Sequence, residues 1–329
     1  MSQAVATTIR SRVGGLVDGA MRSLFLSLSH RRSVGRLATR LPFTRPVVAR
    51  FVAGESLASA LPALRRARAD GFRTTVDILG ESVTDLDAAR AAADSYVAAL
   101  AALDAEGLDL NVSVKLSQMG LGLGQPVARD NLARVLVAAA GVGAFVRIDM
   151  EDHSTTDATL DLWQQLRPAM AGSGEVGVVI QSALRRSDAD VERLIAAGAR
   201  VRLCKGAYKE PPSVAYADKA EVDAAYIRLM ERLLADGVAP AIATHDDRMV
   251  DHAIAFARAH DLAPASFEFQ MLFGVRRDLQ DRLLRDGWAV RIYVPFGDRW
   301  YPYFMRRLAE RPANVAFLVR SLLRERRTP

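Results

Sequence analysis

The sequence contains a single cysteine, Cys204, among its 329 residues. One cysteine excludes an internal disulfide framework and a cluster of thiolate metal ligands, and it is typical of a protein from a reducing compartment. The sequence also lacks a pair of histidines at the spacing of metal ligands, so we expect no metal site. Neither a disulfide-stabilised scaffold nor a zinc-dependent function is indicated.

Long hydrophobic runs are also missing from the sequence. The longest apolar stretch without a charge covers residues 135–146, which is too short to span a bilayer, since a transmembrane helix needs about 20 residues. We expect this stretch to join the end of a helix to a core strand. Low-complexity linkers and internal repeats are absent, and the length suits one large domain with appendages or two domains.

Positive charge is concentrated at the amino terminus. Residues 1–50 contain nine arginines and one acidic residue, Asp18, whereas the whole chain carries a net charge of +6. The remainder is slightly acidic and shows no recognised nucleic-acid motif, so nucleic acid is not an expected partner. An arginine-rich terminus is typical of a transit peptide, of a surface for anionic lipid or of a solvated helix face. We expect a cytoplasmic protein whose basic termini are candidates for peripheral contact with the inner face of the membrane.

Short β-rich runs alternate with amphipathic helical patterns along the chain. Eight such units within about 220 residues predict an α/β fold, a (β/α)₈ barrel of the TIM type, with a doubly wound open sheet as the alternative. We expect residues 1–65 to form a helical basic extension and residues 66–329 to form the barrel and its C-terminal helices. The β-rich runs are residues 73–80, 110–117, 144–150, 176–181, 200–204, 239–244, 266–271 and 289–294.

Every predicted strand ends in a polar or ionisable residue. Chemistry in such barrels takes place at the carboxyl ends of the strands, so these side chains predict a polar cavity of mixed charge. The strand-end residues are Asp77, Glu81, Lys115, Asp149, Glu151, Gln181, Arg202, Lys205, His245, Glu268, Gln270 and Tyr293.

A second cationic cluster follows the eighth strand, in the stretch "YPYFMRRLAER". Arg306 and Arg307 lie on a predicted helix with Tyr303, and Glu310 is four residues beyond Arg306, close enough to orient its guanidinium. Because a guanidinium can bind a carboxylate through two parallel hydrogen bonds, the arginine pair predicts a carboxylate site.

Two other features allow different interpretations. The stretch "GLGLGQP" at residues 120–126 follows a strand, but it lacks the G-x-G-x-x-G spacing of a dinucleotide-binding loop. Lys115 ends a strand and could form a Schiff base. We expect Asp149 to be the partner of Lys115 and to keep the lysine charged.

The motifs taken together resemble the proline dehydrogenase family. "SVKLSQMG", "RIDMED", "VVIQ", "RLCKGAYKE", "ATHD", "FEFQMLFG" and "YFMRRLAERPAN" occur in the order found in that family, over about residues 70–315. The resemblance implies a distorted (β/α)₈ barrel that binds FAD without a Rossmann domain, with a C-terminal helix over the barrel mouth. It also implies oxidation of L-proline to Δ1-pyrroline-5-carboxylate, with electrons passed to a quinone, and the monofunctional form of the enzyme.

The resemblance also assigns roles to residues of this sequence. It places Lys115, Arg306 and Arg307 around the substrate carboxylate, with Asp149 beside Lys115 and Glu310 supporting the arginines. The implied walls around the proline ring are Tyr293, Tyr303, Ala207, Tyr208 and Leu272. Arg202 resembles an arginine next to the reactive edge of the flavin. The other implied FAD contacts are Gln181, Lys205, Gly206, Ala207, Thr244 and His245.

Three alternatives remain open from the sequence. The first is a preference for hydroxyproline, although Tyr293 resembles a bulky residue that such enzymes lack. The second is an aldolase that uses Lys115 for a Schiff base. The third is a barrel that binds a ligand or lipid without turnover. The oligomeric state is not indicated by the sequence.

Overall fold

A computed structural model describes residues 48–170 and 174–310 of the protein. Among these residues, 60–170 and 174–295 belong to one compact unit, and 48–59 and 296–310 belong to a second. The expected N-terminal extension lies largely outside the described residues. The predicted domain boundary at residue 65 stays a prediction.

Eight parallel strands close into a barrel in which each strand pairs with the next one along the chain. The closed barrel confirms the predicted (β/α)₈ architecture, and the alternative of an open sheet is wrong. The strands are β1 (Arg73–Ile78), β2 (Asn111–Val114), β3 (Phe145–Ile148), β4 (Glu175–Gln181), β5 (Val201–Cys204), β6 (Ala241–Ala243), β7 (Glu268–Leu272) and β8 (Val290–Phe296).

Helices alternate with these strands, as the spacing of the β-rich runs predicts. Aspartates open several of them by accepting a backbone N–H, as Asp85 does from Ala88 at 2.7 Å. Among the described residues, no helix is both long and apolar enough to cross a membrane. The helices are α1 (Leu57–Ala69), α2 (Leu86–Ala105), α3 (Gln125–Gly141), α4 (Thr156–Leu166), α5 (Ser187–Ala196), α6 (Lys219–Asp236), α7 (Asp247–Ala259), α8 (Arg277–Arg285) and α9 (Trp300–Glu310).

Residues 120–124 form the turn that leads into α3, and residues 125 and 126 are the first two of that helix. Gly120 has φ +97° and Gly124, the residue before α3, has φ +136°, so both adopt a backbone conformation that favours glycine. The backbone conformation of this turn therefore accounts for Gly120 and Gly124 without a dinucleotide-binding role. Residues 135–146 join the end of α3 to β3, as the sequence predicts.

Alternate residues of the strands face opposite sides of the barrel wall. In β3, Val146 and Ile148 are completely buried and belong to the apolar layer between strands and helices. Burial of each such side chain contributes about 1.5–3 kcal/mol. Arg147 and Asp149 alternate with them and face the interior. The interior of this barrel is therefore polar, and its apolar core lies outside the strands.

Gly177 makes room in this interior for the side chain of Arg147, its partner across β3 and β4. A Cβ atom on Gly177 would lie 2.6 Å from Arg147 Nη1 and 2.4 Å from the backbone oxygen of Arg200. Arg147 Nη1 donates hydrogen bonds to the carbonyl oxygens of Val178 at 3.0 Å and Arg200 at 2.5 Å. Burial lowers the pKa of Arg147 well below its usual value, and Arg202 acts in the same direction. The buried guanidinium thus depends on a glycine beside it.

The smaller unit is held together by aromatic rings. The ring of Phe304 lies 6.3 Å from that of Phe51 and 5.9 Å from that of Trp300, between centroids. The Trp300 indole donates a hydrogen bond to Glu55 at 3.1 Å. These contacts join the start of α9 to the segment that precedes α1.

We expect Gly177→Ala to lower the free energy of unfolding by about 1–3 kcal/mol, because the added methyl group would displace Arg147 and a backbone carbonyl. The matched control is Gly141→Ala at the end of α3, where an added Cβ meets nothing within 4 Å. That control should be neutral or slightly stabilising. Urea unfolding of the two variants measures the difference, and equal midpoints would contradict the crowding argument.

Candidate active site

Arg202 lies at the centre of the polar interior. Its Nε donates to Gln270 Oε1 at 2.5 Å, its Nη1 to Asp149 Oδ1 at 2.6 Å and its Nη2 to Ser113 Oγ at 3.0 Å. These partners belong to β7, the end of β3, and β2, none of which neighbours β5, so the guanidinium crosses the interior. A guanidinium has five N–H donors, and these three hydrogen bonds leave capacity for a ligand.

Lys115 follows β2 directly and lies among two carboxylates and a phenol. Its Nζ is 2.6 Å from Asp77 Oδ1 and 3.7 Å from Asp149 Oδ2, and it donates to Tyr293 Oη at 3.2 Å. The predicted pairing with Asp149 is confirmed, but Asp77 is the nearer carboxylate. The register explains this: Asp77 pairs with Ser113 on β2, and Lys115 lies two residues further along the same face.

Tyr293 on β8 connects Lys115 to Asp149, the carboxylate that Arg202 binds. Its hydroxyl donates to Asp149 Oδ2 at 2.7 Å while it accepts from Lys115. Arg202 Cζ lies 5.3 Å from the centroid of the Tyr293 ring, a cation–π distance. The phenol is therefore held both through its hydroxyl and through its ring.

The protonation states of Lys115 and Tyr293 follow from their neighbours. Burial alone would lower the pKa of Lys115, but Asp77, Tyr293 and Asp149 together raise it well above its usual value. Burial, with Asp149 and Asp77, raises the pKa of Tyr293 well above its usual value. Lys115 is thus an ammonium group and Tyr293 a neutral phenol at neutral pH. A charged lysine is not a nucleophile, so these surroundings disfavour the Schiff-base alternative.

The network continues towards the amino ends of the strands through Gln270. Gln270 Nε2 donates to Glu268 Oε1 at 2.6 Å, and Arg291 Nε donates to the same oxygen at 2.7 Å. Burial would raise the pKa of Glu268, but Arg291 lowers it to about 2. The prediction that Glu268 lies at the carboxyl end of its strand is wrong. It is the first residue of β7, because the strand begins two residues later than its β-rich run.

Buried charges of both signs meet in this interior. Four cations face three carboxylates, and Glu151, on which Lys115 also acts, is a further buried carboxylate beyond the end of β3. The cations are Lys115, Arg147, Arg202 and Arg291, and the carboxylates are Asp77, Asp149 and Glu268.

The sequence interpretation did not identify Arg147, Arg291 and Ser113 as members of this network. A signal was present for the two arginines: Arg147 lies two residues before Asp149, and Arg291 lies two residues before Tyr293. Residues two apart on a strand share a face. The predicted positions of Asp149 and Tyr293 in the interior therefore implied two further interior cations.

A second charged group surrounds Lys205, directly after β5. Lys205 Nζ lies 2.6 Å from Asp223 Oδ1 and donates to Asp246 Oδ2 at 2.9 Å. Asp223 also accepts from Lys219 at 2.6 Å and Arg248 at 2.9 Å. Burial would raise the pKa of Asp246, but Lys205 and Arg248 lower it to about 2. Three cations share two carboxylates, so this group has one positive charge in excess.

Two predicted cofactor contacts follow β6. Thr244 Oγ1 accepts from the Asp246 amide at 3.1 Å, and His245 Nε2 accepts from the Leu272 amide at 2.9 Å. Because an amide only donates, the proton of the neutral His245 ring is on Nδ1.

Gln181 and Gly206 lie beside each other at the ends of β4 and β5. Gln181 Nε2 donates to the Glu151 carbonyl oxygen at 2.8 Å. Gly206 has φ +111°, and a Cβ there would lie 3.2 Å from Gln181 Oε1. Glycine is required by this backbone conformation.

The predicted walls of the substrate pocket come from different elements. Leu272 and Tyr293 are paired in register across β7 and β8. Ala207 and Tyr208 lie in the loop after β5, where Tyr208 is 42% exposed. The contacts of these residues with a substrate stay predictions.

The smaller unit contains the remaining predicted residues, on α9. The helix confirms that Tyr303, Arg306 and Arg307 share one element, and Arg307 Cζ lies 5.0 Å from the centroid of the Tyr303 ring. Tyr303 and Arg307 are buried. Glu310 ends α9, but its side chain lies outside the described residues. The placement of α9 over the barrel mouth stays a prediction.

Metal ligands do not cluster in the part of the chain that the structure describes: no group of three or more His, Cys, Asp or Glu residues there could hold an ion. Cys204 ends β5, and burial raises the pKa of its thiol to about 12. A thiol with this pKa is not a reactive thiolate at neutral pH.

The chain is similar to known proteins of one family. The model of the proline dehydrogenase family matches residues 60–320. The proline dehydrogenase of Deinococcus radiodurans is 39% identical over 312 residues, which cover 94% of this chain and 100% of that protein. Proline dehydrogenase 2 of Bacillus subtilis is 35% identical over 304 residues, covering 92% of this chain and 99% of that protein.

A solved structure supports the same assignment. The crystal structure of proline utilization A from Bdellovibrio bacteriovorus, inactivated by N-propargylglycine, superposes with a TM-score of 0.76 at 28% identity. The match covers 81% of this chain and 33% of that one. From the family match and the two curated relatives, the chain belongs to the proline dehydrogenase family of oxidoreductases.

Proposed function

We propose that the protein oxidises L-proline to Δ1-pyrroline-5-carboxylate, with FAD as the bound hydride acceptor and a quinone as the final electron acceptor. The observation that carries this proposal is the charged Lys115 between Asp77 and Asp149. It lies in a charged interior at the end of the barrel where such folds hold their active sites.

Lys115 is suited to bind the carboxylate of the substrate. An ammonium group has three N–H donors, and Asp77 and Tyr293 accept two of them. The third can be donated to a carboxylate. Arg306 and Arg307 are further candidates for this role by resemblance, since two guanidinium groups match the planar geometry of a carboxylate. Glu310 is the candidate that orients Arg306.

The same positive charge favours loss of the substrate's amine proton. A hydride can leave the carbon next to nitrogen only when the nitrogen lone pair is available to form the C=N bond. Lys115 and Arg202 repel a third cation and so lower the pKa of a bound amine. Asp149, which contacts both, offsets part of their charge and keeps them in place.

The donors of the chain fit a flavin dinucleotide. When bound, FAD supplies a hydride-accepting ring, which no amino-acid side chain offers. Arg202 has N–H donors for negative charge on such a ring. The Lys205 group has a positive charge in excess for a phosphate. The remaining candidates for hydrogen bonds and close backbone approach are Gln181, Gly206, Ala207, Thr244 and His245.

Tyr293 favours proline over hydroxyproline. Its hydroxyl already donates to Asp149 and accepts from Lys115, and its ring is held by Arg202. A rigid phenol of this kind gives a ring wall that cannot readily retreat from an additional hydroxyl group. Leu272, its partner on β7, extends the wall with an apolar side chain. Tyr208 and Tyr303 are the other aromatic candidates for this wall.

Transfer of electrons to a quinone would bring the protein to a membrane. The basic segments that could make this contact are residues 1–50 and residues 319–329. All of these residues except 48–50 lie outside the described part of the chain. Peripheral membrane contact stays a prediction.

The first test is the visible absorption spectrum of the purified protein before and after anaerobic addition of L-proline. We expect flavin bands that lose intensity when proline is added, because reduced flavin does not absorb there. If the bands respond only to hydroxyproline or to another cyclic amino acid, that compound and not L-proline is the substrate. A colourless protein that cannot be reconstituted with FAD would refute the proposal.

Lys115→Met should raise KM for L-proline about 30-fold, since a charge-assisted hydrogen bond contributes about 2 kcal/mol. L-Prolinamide, which lacks the carboxylate, is the control substrate, and its KM should rise much less than that of L-proline. A double variant with Asp77→Asn removes the unpaired buried carboxylate, and thermal melting checks that it is folded. An unchanged preference for proline over prolinamide would show that Lys115 does not bind the carboxylate.

The value of kcat/KM for proline should rise between about pH 6 and 9, because more of the substrate amine is neutral at higher pH. The raised pKa of Lys115 keeps the lysine charged over this range, so the rise reports the amine. The pH dependence of kcat, unlike that of kcat/KM, reports the bound amine. In Lys115→Met the rise of kcat should move to higher pH, since a nearby positive charge has been removed. A flat profile in the unmodified protein would count against this step.

A further inference from the structure

Glu210 is a buried carboxylate in the loop after β5. Its side chain is 6% exposed. Oε1 accepts a hydrogen bond from the His153 backbone N–H at 2.9 Å, and Oε2 lies 2.5 Å from His153 Nδ1. A buried carboxylate requires donors, and both of these come from one residue 57 positions earlier. The two contacts join the backbone and the ring of His153 to the same carboxylate.

The pair joins two loops at the carboxyl end of the barrel. His153 lies in the loop after β3, four residues beyond Asp149. Glu210 lies two residues beyond Tyr208, in a segment, residues 205–210, that forms neither helix nor strand. The opposite end of this segment is tied down by Lys205, which contacts Asp223 and Asp246. Ala207 and Tyr208 thus lie between two anchors.

The loop after β3, which carries His153, is held in place by several hydrogen bonds. Glu151, two residues before His153, accepts from the Ser117 amide at 2.8 Å, and its carbonyl oxygen accepts from Gln181 at 2.8 Å. Asp152 accepts from the Ser154 amide at 2.9 Å. His153 therefore has a braced backbone, from which it can hold the segment that follows β5.

We propose that His153 and Glu210 form a clasp that positions residues 205–210, and thereby Ala207 and Tyr208, for substrate binding. The inference rests on the proposed function, in which those two residues line the pocket. Both members are positioning residues, since they act through the segment between the two anchors. The clasp spans two loops, so it determines pocket shape without contributing a group to the reaction.

The test is a series of variants measured by steady-state kinetics and by hydrogen–deuterium exchange. Glu210→Ala removes both contacts and should raise KM for L-proline about tenfold, with a smaller change in kcat. His153→Ala removes only the ring contact and should have a smaller effect. The double variant should resemble Glu210→Ala, because the two residues act through one interaction. Amide exchange of residues 206–209 should become faster in both variants, and the increase should be larger in Glu210→Ala than in His153→Ala.

Two further variants separate positioning from general destabilisation. His153→Asn keeps a donor near the place of Nδ1 and should restore most of the affinity for proline. His252→Ala is the matched control: His252 Nε2 lies 2.7 Å from Glu231 Oε1, a histidine–glutamate pair between α6 and α7. Loss of that pair should leave KM and the exchange of residues 206–209 unchanged.

The outcomes distinguish this inference from the proposed function. Faster exchange with unchanged KM would overturn the positioning role, and unchanged exchange in both alanine variants would overturn the clasp itself. Failure of the unmodified protein to oxidise proline would refute the proposed function, whereas the exchange measurement would still decide whether the clasp holds the segment.

Discussion

The buried guanidinium of Arg202 is the interaction on which the interior of this barrel depends. A charge in a low-dielectric interior is costly unless it is paired and hydrogen-bonded. Arg202 meets this requirement through Gln270, Asp149 and Ser113, on three strands that do not neighbour its own. Because Asp149 also contacts Lys115 and Tyr293, one carboxylate holds two cations and a phenol in place together.

Hydrogen bonds between loops extend this organisation above the strands. The Ser117 side chain accepts from the Ser82 amide at 3.2 Å, so the loop after β1 is joined to the loop after β2. Glu151 joins the loop after β2 to the loop after β3, and Gln181 joins it to the end of β4. In barrel enzymes the loops carry specificity while the strands carry the scaffold. Here the loops are coupled to one another through these hydrogen bonds.

The sequence predicts the eight strands and most strand-end residues, because alternation and helix spacing are local properties. It does not predict which side chains meet. Asp77 is nearer to Lys115 than Asp149 because of the register between β1 and β2, and register is a property of pairing. Glu268 was misplaced because a β-rich run does not define where hydrogen bonding begins. The contact of His153 with Glu210 joins two loops distant in sequence, and no local pattern encodes it.

The polar interior divides the work of β3 between its two faces. Val146 and Ile148 face the helices and belong to the layer that stabilises the fold, whereas Arg147 and Asp149 face the network. A substitution on one face changes mainly stability, and one on the other face changes mainly charge and chemistry. The two properties can therefore vary separately during evolution. A substitution on the strand face that carries Asp149 is expected to alter the chemistry of the interior. A substitution on the opposite face is expected to alter stability.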